Sequence, residues 1–202
     1  MKYEVKICGL TRRKDVETAV EEGADFVGFV LADFSRRYVA PEQLAELTGN
    51  LPGHVKKVGV FVNASGNFIR RAVALGSLDI VQLHGVESVE FARSLRGFTV
   101  WKAACLTQEE DVEYYASFPA ERIVADAASG GSGKLSCWRL ASRLAERKKI
   151  MLAGGITPEN AKEALMTVNP AGLDLAGGVE DAPGIKSKEK IKQLFDRIRG
   201  EK

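Results

Sequence analysis

The sequence predicts a (β/α)8 barrel formed by one domain, residues 1–202, and three observations carry that expectation. Short apolar runs alternate with amphipathic stretches eight times, at the spacing of βαβ units. Some runs, such as Ala24-Asp25-Phe26-Val27-Gly28-Phe29-Val30-Leu31, are almost continuously apolar, the pattern of parallel strands covered by helices on both faces. Eight units close into a barrel, whereas an open flavodoxin-like or Rossmann sheet would leave two edges and need no eighth unit. With 202 residues the chain is short for a fold that usually takes about 250, so insertions must be few.

The first strand is read at Val5-Lys6-Ile7-Cys8, after which Gly9 turns the chain and Thr11 is the expected N-cap of the first helix. Arg12 to Glu22 places Val16, Ala19 and Val20 on one helical stripe, and Gly23 is suited to stop it. The second strand is the Ala24–Leu31 run. Pro41 opens a helix carrying Leu44 and Leu47. Lys57–Val62 is the third strand, with a helix through Phe68, Ile69, Val73 and Leu75. Ile80–Leu83 is the fourth, with a helix through Phe91, Ala92 and Leu95. Thr99–Ala103 is the fifth, and Thr107 with Glu110 has capping-box spacing for the helix after it. Arg122–Asp126 is the sixth, before a helix around Trp138, Leu140 and Leu144. Ile150–Ala153 is the seventh, with Thr157 as cap and Pro158 at the first helical position. Gly172–Leu175 is the eighth, and Ile191, Leu194, Phe195 and Ile198 mark the last helix. Trp101 and Trp138 are expected in the core.

Charge narrows the function classes. The net charge is +2, from 29 basic and 27 acidic residues, and the densest basic clusters are only Arg12-Arg13-Lys14 and Arg147-Lys148-Lys149. That balance argues against nucleic-acid or membrane partners. No apolar run reaches the roughly 18 residues that span a bilayer, and Met1-Lys2-Tyr3-Glu4 lacks signal-peptide character. The cysteines Cys8, Cys105 and Cys137, with His54 and His84, have no zinc-ligand spacing, and free thiols suit a cytoplasmic, reducing compartment.

In a barrel, the residues that follow each strand share one mouth, where chemistry is done. Those positions hold Cys8, Arg36-Arg37, Asn63, Gln82 and His84, Asp126, Gly154-Gly155 and Gly177-Gly178. A lone cysteine is by default a small buried hydrophobe, but Cys8 ends a strand immediately before a glycine. Asp126 ends an apolar strand, where a carboxylate is costly to bury without partners; capping a loop is its plain alternative. The guanidinium fork of Arg37 suits a carboxylate or phosphate. Gln82 and His84 line the mouth, most simply as hydrogen-bonded residues that shape it. Ser129-Gly130-Gly131-Ser132-Gly133-Lys134 fails the P-loop pattern, because Leu135 follows the lysine, and is better read as a loop over the site. The glycine pairs 154–155 and 177–178 follow strands seven and eight, where phosphosugar barrels present backbone N–H groups to phosphate.

Lys6-Ile7-Cys8-Gly9, Gly28-Phe29-Val30 with Ser35-Arg36-Arg37-Tyr38, and Val58-Gly59-Val60-Phe61-Val62-Asn63 resemble segments of the phosphoribosylanthranilate isomerase family. So do Val81-Gln82-Leu83-His84-Gly85, Asp126 with Gly130-Gly131-Ser132-Gly133-Lys134, Leu152-Ala153-Gly154-Gly155-Ile156, and Gly178-Val179-Glu180 with Pro183-Gly184-Ile185-Lys186. The resemblance runs through the whole chain in order. It implies a small (β/α)8 barrel and the Amadori rearrangement of N-(5-phosphoribosyl)anthranilate in tryptophan biosynthesis, without metal or cofactor. It further implies Cys8 as general base, Asp126 as general acid and Arg37 as the holder of the anthranilate moiety. The chain departs from the family pattern at Ala176-Gly177, where two serines are usual, so phosphate contacts there would come from backbone alone.

The expected partner is a small phosphosugar, and the expected assembly a monomer or homodimer. Two competitors stand beside this reading. One is the related phosphosugar isomerase of histidine biosynthesis, which has a carboxylate where Cys8 stands. The other is a non-catalytic phosphate-binding barrel, which would need the glycine pairs but not Cys8 and Asp126 together.

Overall fold

In a computed structural model, which describes residues 3–126 and 138–199, eight parallel strands close into a barrel in sequential order. They are β1 (Glu4–Cys8), β2 (Phe26–Val30), β3 (Lys56–Phe61), β4 (Ile80–Leu83), β5 (Thr99–Cys105), β6 (Arg122–Asp126), β7 (Ile150–Leu152) and β8 (Gly172–Leu175). The ring is completed by β1 against β8, with Lys6 opposite Asp174 and Ile7 opposite Leu175. Around it run α1 (Arg13–Glu22), α2 (Leu44–Thr48), α3 (Gly66–Gly76), α4 (Val89–Ser94), α5 (Glu109–Ser117), α6 (Trp138–Ala145), α7 (Ala161–Val168) and α8 (Lys188–Arg199). The eight predicted units are all present, with strand ends shifted by at most two residues and the start of α7 by three. The short hairpin of β9 (Glu180–Ala182) and β10 (Ile185–Lys186) was not foreseen.

Strand alternation divides the apolar residues into two cores. Outward-facing Val5, Ile7, Val27, Phe29, Val81 and Leu83 pack under the helices. Inward-facing Phe26, Val58, Ile80, Trp101, Val124, Met151 and Ala153 fill the barrel. At the N-terminal end Arg122 lies over the rings of Phe26 and Trp101, at 5.2 and 5.1 Å, and pairs with Glu4. This end is closed by packing, which leaves the C-terminal mouth for chemistry.

Three expected helix starts are corrected. Thr11 does not cap α1; its hydroxyl donates to the Gly184 carbonyl at 2.6 Å and ties β1 to the hairpin. The Thr107–Glu110 box is replaced by Asp111, whose carboxylate accepts from the N–H groups of Thr107 and Gln108. Helix α7 begins after Asn160 rather than at Pro158, because the Asn160 side chain folds back onto Thr157 N–H and the Gly155 carbonyl in a turn. Gly23 stops α1 in the left-handed conformation, φ 101°, as expected. Trp101 is fully buried, while Trp138 is only partly buried against the core. Leu75, expected on the packed stripe of α3, is 40% exposed.

Candidate active site

Cys8 closes β1 and Asp126 closes β6, so the thiol and the carboxyl stand on the same rim with β7 and β8 between them. The loops that leave those two intervening strands are the ones with the glycine pairs. Gly154 and Gly155 both have positive φ, 80° and 70°, a conformation that favours glycine. Gly177 and Gly178 open a 3-10 turn, where the first N–H groups lack an intrahelical acceptor. A Cβ at Gly178 would lie 1.9 Å from the Ile156 carbonyl oxygen, so the two loops touch backbone to backbone. Carboxyl, thiol and two glycine loops are thus neighbours along half of the rim.

Around Cys8 the barrel holds charge. Lys6, two residues earlier and on the same inward face, is wholly buried and donates to Asp174 Oδ2 at 2.7 Å. Burial pushes the Cys8 thiol up; Lys6 works against that rise and Asp174 adds to it. Burial also opposes the Lys6 charge, but Asp174 and Cys8 together more than offset it, and the ammonium is held above the usual lysine range. Gly28, the register partner of Cys8, leaves room for both side chains: a Cβ there would meet Cys8 Sγ at 2.9 Å and Lys6 Cε at 3.0 Å.

Arg37 lies in the loop after β2, and its guanidinium grips Glu180 with two bonds of 2.8 and 2.6 Å. Glu180 also accepts from Lys186 Nζ at 2.7 Å and from Gly184 N–H at 3.1 Å. Burial raises the Glu180 carboxyl, but the bonds from Arg37 and Lys186 outweigh it and hold the group below the usual range. Burial is also the main reason that the Lys186 ammonium is lowered. Two cations share one carboxylate here, an arrangement with one surplus positive charge, suited to an incoming anion.

On the other side, His84 Nε2 lies 3.3 Å from Asp126 Oδ2, and its Nδ1 lies 3.0 Å from Gln82 Nε2. With the Gln82 amide donating, Nδ1 is the acceptor and the ring proton sits on Nε2, facing Asp126. Gln82 is 1% exposed, so its support of the site runs through the histidine. Asn63 braces the rim by accepting from Val86 N–H at 2.8 Å. The predicted loop at 129–134 and Cys137 lie outside the described residues.

The structure therefore brings Cys8, Arg37, Gln82, His84, Asp126 and both glycine pairs to one mouth. Sequence reasoning missed Lys6, Asp174, Glu180 and Lys186. The signal was available for two of them: Lys6 between Val5 and Ile7, and Asp174 between Leu173 and Leu175, are charges inside apolar strands, at inward positions.

In layout this is a (β/α)8 enzyme-type barrel whose polar residues converge at the C-terminal mouth. The family model for N-(5'-phosphoribosyl)anthranilate (PRA) isomerase matches residues 5–197. A relative of that name from Geotalea uraniireducens (strain Rf4) is 40% identical over 202 residues, covering 98% of each chain. The solved phosphoribosyl anthranilate isomerase of Thermus thermophilus superposes with a TM-score of 0.90 at 40% identity, over 97% of this chain and 98% of that one. The Thermotoga maritima enzyme gives 0.92 at 37% identity, over 98% and 100%. A solved phosphoribosyl anthranilate isomerase in complex with reduced 1-(o-carboxyphenylamino)-1-deoxyribulose 5-phosphate gives a TM-score of 0.90 at 35% identity, over 98% and 100%. The chain belongs to the phosphoribosylanthranilate isomerase family.

Proposed function

We propose that the chain catalyses the Amadori rearrangement of N-(5-phosphoribosyl)anthranilate to 1-(2-carboxyphenylamino)-1-deoxyribulose 5-phosphate, the isomerase step of tryptophan biosynthesis. The observation that carries this reading is the rim order: Asp126, the two glycine loops, then Cys8. A phosphate in the loops after β7 and β8 sets a ribose between an acid on one flank and a base on the other. Arg37 and Lys186, which share the Glu180 carboxylate, give the anthranilate carboxylate a cationic seat.

In the forward reaction Asp126 gives a proton to the ribose ring oxygen. The C1′–O bond breaks as the anthranilate nitrogen lone pair forms an iminium. Cys8, as thiolate, then takes the C2′ proton. The C–H electron pair forms a C1′–C2′ double bond and neutralises the iminium, and the resulting enolamine tautomerises to the ketone. His84 Nε2–H is placed to hold the Asp126 carboxylate once its proton has left. Every step moves a proton, and no covalent enzyme intermediate forms.

The substrate partner is a small phosphosugar. For assembly we retain monomer or homodimer; the Thermotoga maritima relative is described as dimeric. Residues 1–202 are read as one domain, and the free thiols of Cys8 and Cys105 support a reducing, cytoplasmic compartment.

The test is to mix pure protein with phosphoribosylanthranilate and follow loss of its fluorescence. Turnover is expected, and Cys8→Ala and Asp126→Asn are each expected to abolish it with far-UV circular dichroism unchanged. Binding of the reduced product analogue without turnover would favour a non-catalytic barrel instead.

A further inference from the structure

Lys6 is the side chain that the mechanism above leaves without work. It is 0% exposed, in the middle of an apolar strand, and paired with the Asp174 carboxylate. A buried ion pair is weak as a device for stability, because well-packed apolar residues of similar volume often do as well or better. Its position explains more. Lys6 and Cys8 are two residues apart on one strand and share the inward face. Gly28 has no side chain where one would strike both the sulfur and the last carbon of the lysine, so the two occupy one small space.

We propose that Lys6 is the positioning residue of the Cys8 base: its ammonium, anchored by Asp174, is the counter-ion that stabilises the thiolate when it forms, ahead of its taking the C2′ proton. The proposal rests on the base role assigned to Cys8. When the sulfur accepts the proton, its charge is lost and the carbon–hydrogen electron pair passes into the enolamine. Lys6 then keeps Asp174 as its remaining partner, so the cycle never leaves a bare buried charge. Asp174 sets the balance. Its carboxylate competes for the ammonium through Oδ2, and its Oδ1 has no hydrogen-bond partner among the described residues. The other charges felt at the sulfur are Lys186 from β10 and Arg37 from the loop after β2, and both are already engaged by Glu180. Lys6 is therefore the cation with the most to give.

The test reads the sulfur directly, by iodoacetamide alkylation rate against pH in a Cys105→Ser, Cys137→Ser background in which only Cys8 reacts. Asp174→Asn removes the competitor and is expected to move the alkylation midpoint to lower pH. Adding Lys6→Met to Asp174→Asn removes both charges without stranding either, and should return the midpoint upward by about one pH unit or more, a tenfold loss of thiolate at fixed pH. Equal midpoints for Asp174→Asn with and without Lys6→Met would overturn the proposal. If the double variant does not fold, a midpoint unmoved or raised by Asp174→Asn alone overturns it equally. Activity separates the two readings: turnover retained by Cys8→Ala removes the base role, whereas the alkylation series reports on Lys6 whatever the reaction.

Discussion

Arg37 and Glu180 are joined by two hydrogen bonds, 2.8 and 2.6 Å long, across 143 residues of sequence. The pair ties the loop after β2 to the hairpin that follows β8, and Lys186 completes it from β10. Glu180 is almost fully buried, so its removal strands two cations. Glu180→Gln should therefore destabilise the fold by about 3–5 kcal/mol in urea unfolding. It should also raise KM, because Arg37 is no longer aimed. A variant with unchanged KM would show that the orientation of Arg37 does not depend on Glu180.

The same carboxyl makes a pH prediction. Its folded-state pKa lies below the ordinary value, so the unfolded chain binds the proton more readily. Its stabilising contribution is fully present above the ordinary glutamate range and is lost as pH falls through the depressed folded-state value. Unfolding free energy measured from neutral to acid pH should fall less steeply in Glu180→Gln than in the parent. Parallel acid limbs would show that Glu180 is not the group responsible.

Gly178 packs its backbone against the loop after β7, the other loop of the proposed phosphate seat. A methyl group there would lie 1.9 Å from the Ile156 oxygen, which is backbone and cannot swing aside. Gly178→Ala should therefore push the loops after β7 and β8 apart. The expected result is a KM raised by an order of magnitude or so, about 1.4 kcal/mol of binding, with weaker inhibition by inorganic phosphate. Gly177 is a useful control, because a Cβ there meets nothing nearer than Arg37 Nη2 at 3.4 Å. If Gly177→Ala raised KM as much as Gly178→Ala, close loop contact would not be the cause.

The fold was legible because its signal is repetitive: eight apolar runs and eight amphipathic stretches each repeat the same period. The rim was legible for a related reason, since a strand end in a barrel is a place as well as a position in sequence. Cys8, Asp126 and the glycine pairs could be picked out by that rule alone. What stayed hidden was pairing. Nothing local to Glu180 says that its partners are Arg37, 143 residues earlier, and Lys186 across a hairpin turn. The helix starts failed for a different reason. Thr11 and Thr107 have good cap chemistry, but a tertiary contact with Gly184 takes the Thr11 hydroxyl and a local one with Asp111, four residues on, takes that of Thr107.

With Cys8 as the proposed base, its resting state should set the alkaline dependence of the reaction. Burial holds the thiol above its ordinary range, so the base form is scarce at neutral pH and grows as pH rises. The kcat/KM profile, which reports the free enzyme, should keep climbing through the pH at which an unperturbed thiol would already have levelled. A plateau reached below that point would mean that the essential base is not this thiol.

His84 and Asp126, 3.3 Å apart, should behave as one unit. In the proposed mechanism Asp126 becomes negatively charged on protonating the ring oxygen and then needs a donor, and the His84 ring proton faces it because Gln82 occupies the opposite nitrogen. His84→Ala should lower kcat by roughly 10- to 100-fold with little change in KM, the pattern of an interaction made mainly in the transition state. Gln82→Leu should have a smaller effect in the same direction, since it frees the tautomer without removing the ring. The decisive comparison is the double variant. If His84 acts through Asp126, then His84→Ala added to Asp126→Asn should cost almost nothing further, because the group it serves is already gone. Full additivity of the two losses would place His84 in a separate role, such as direct contact with the substrate.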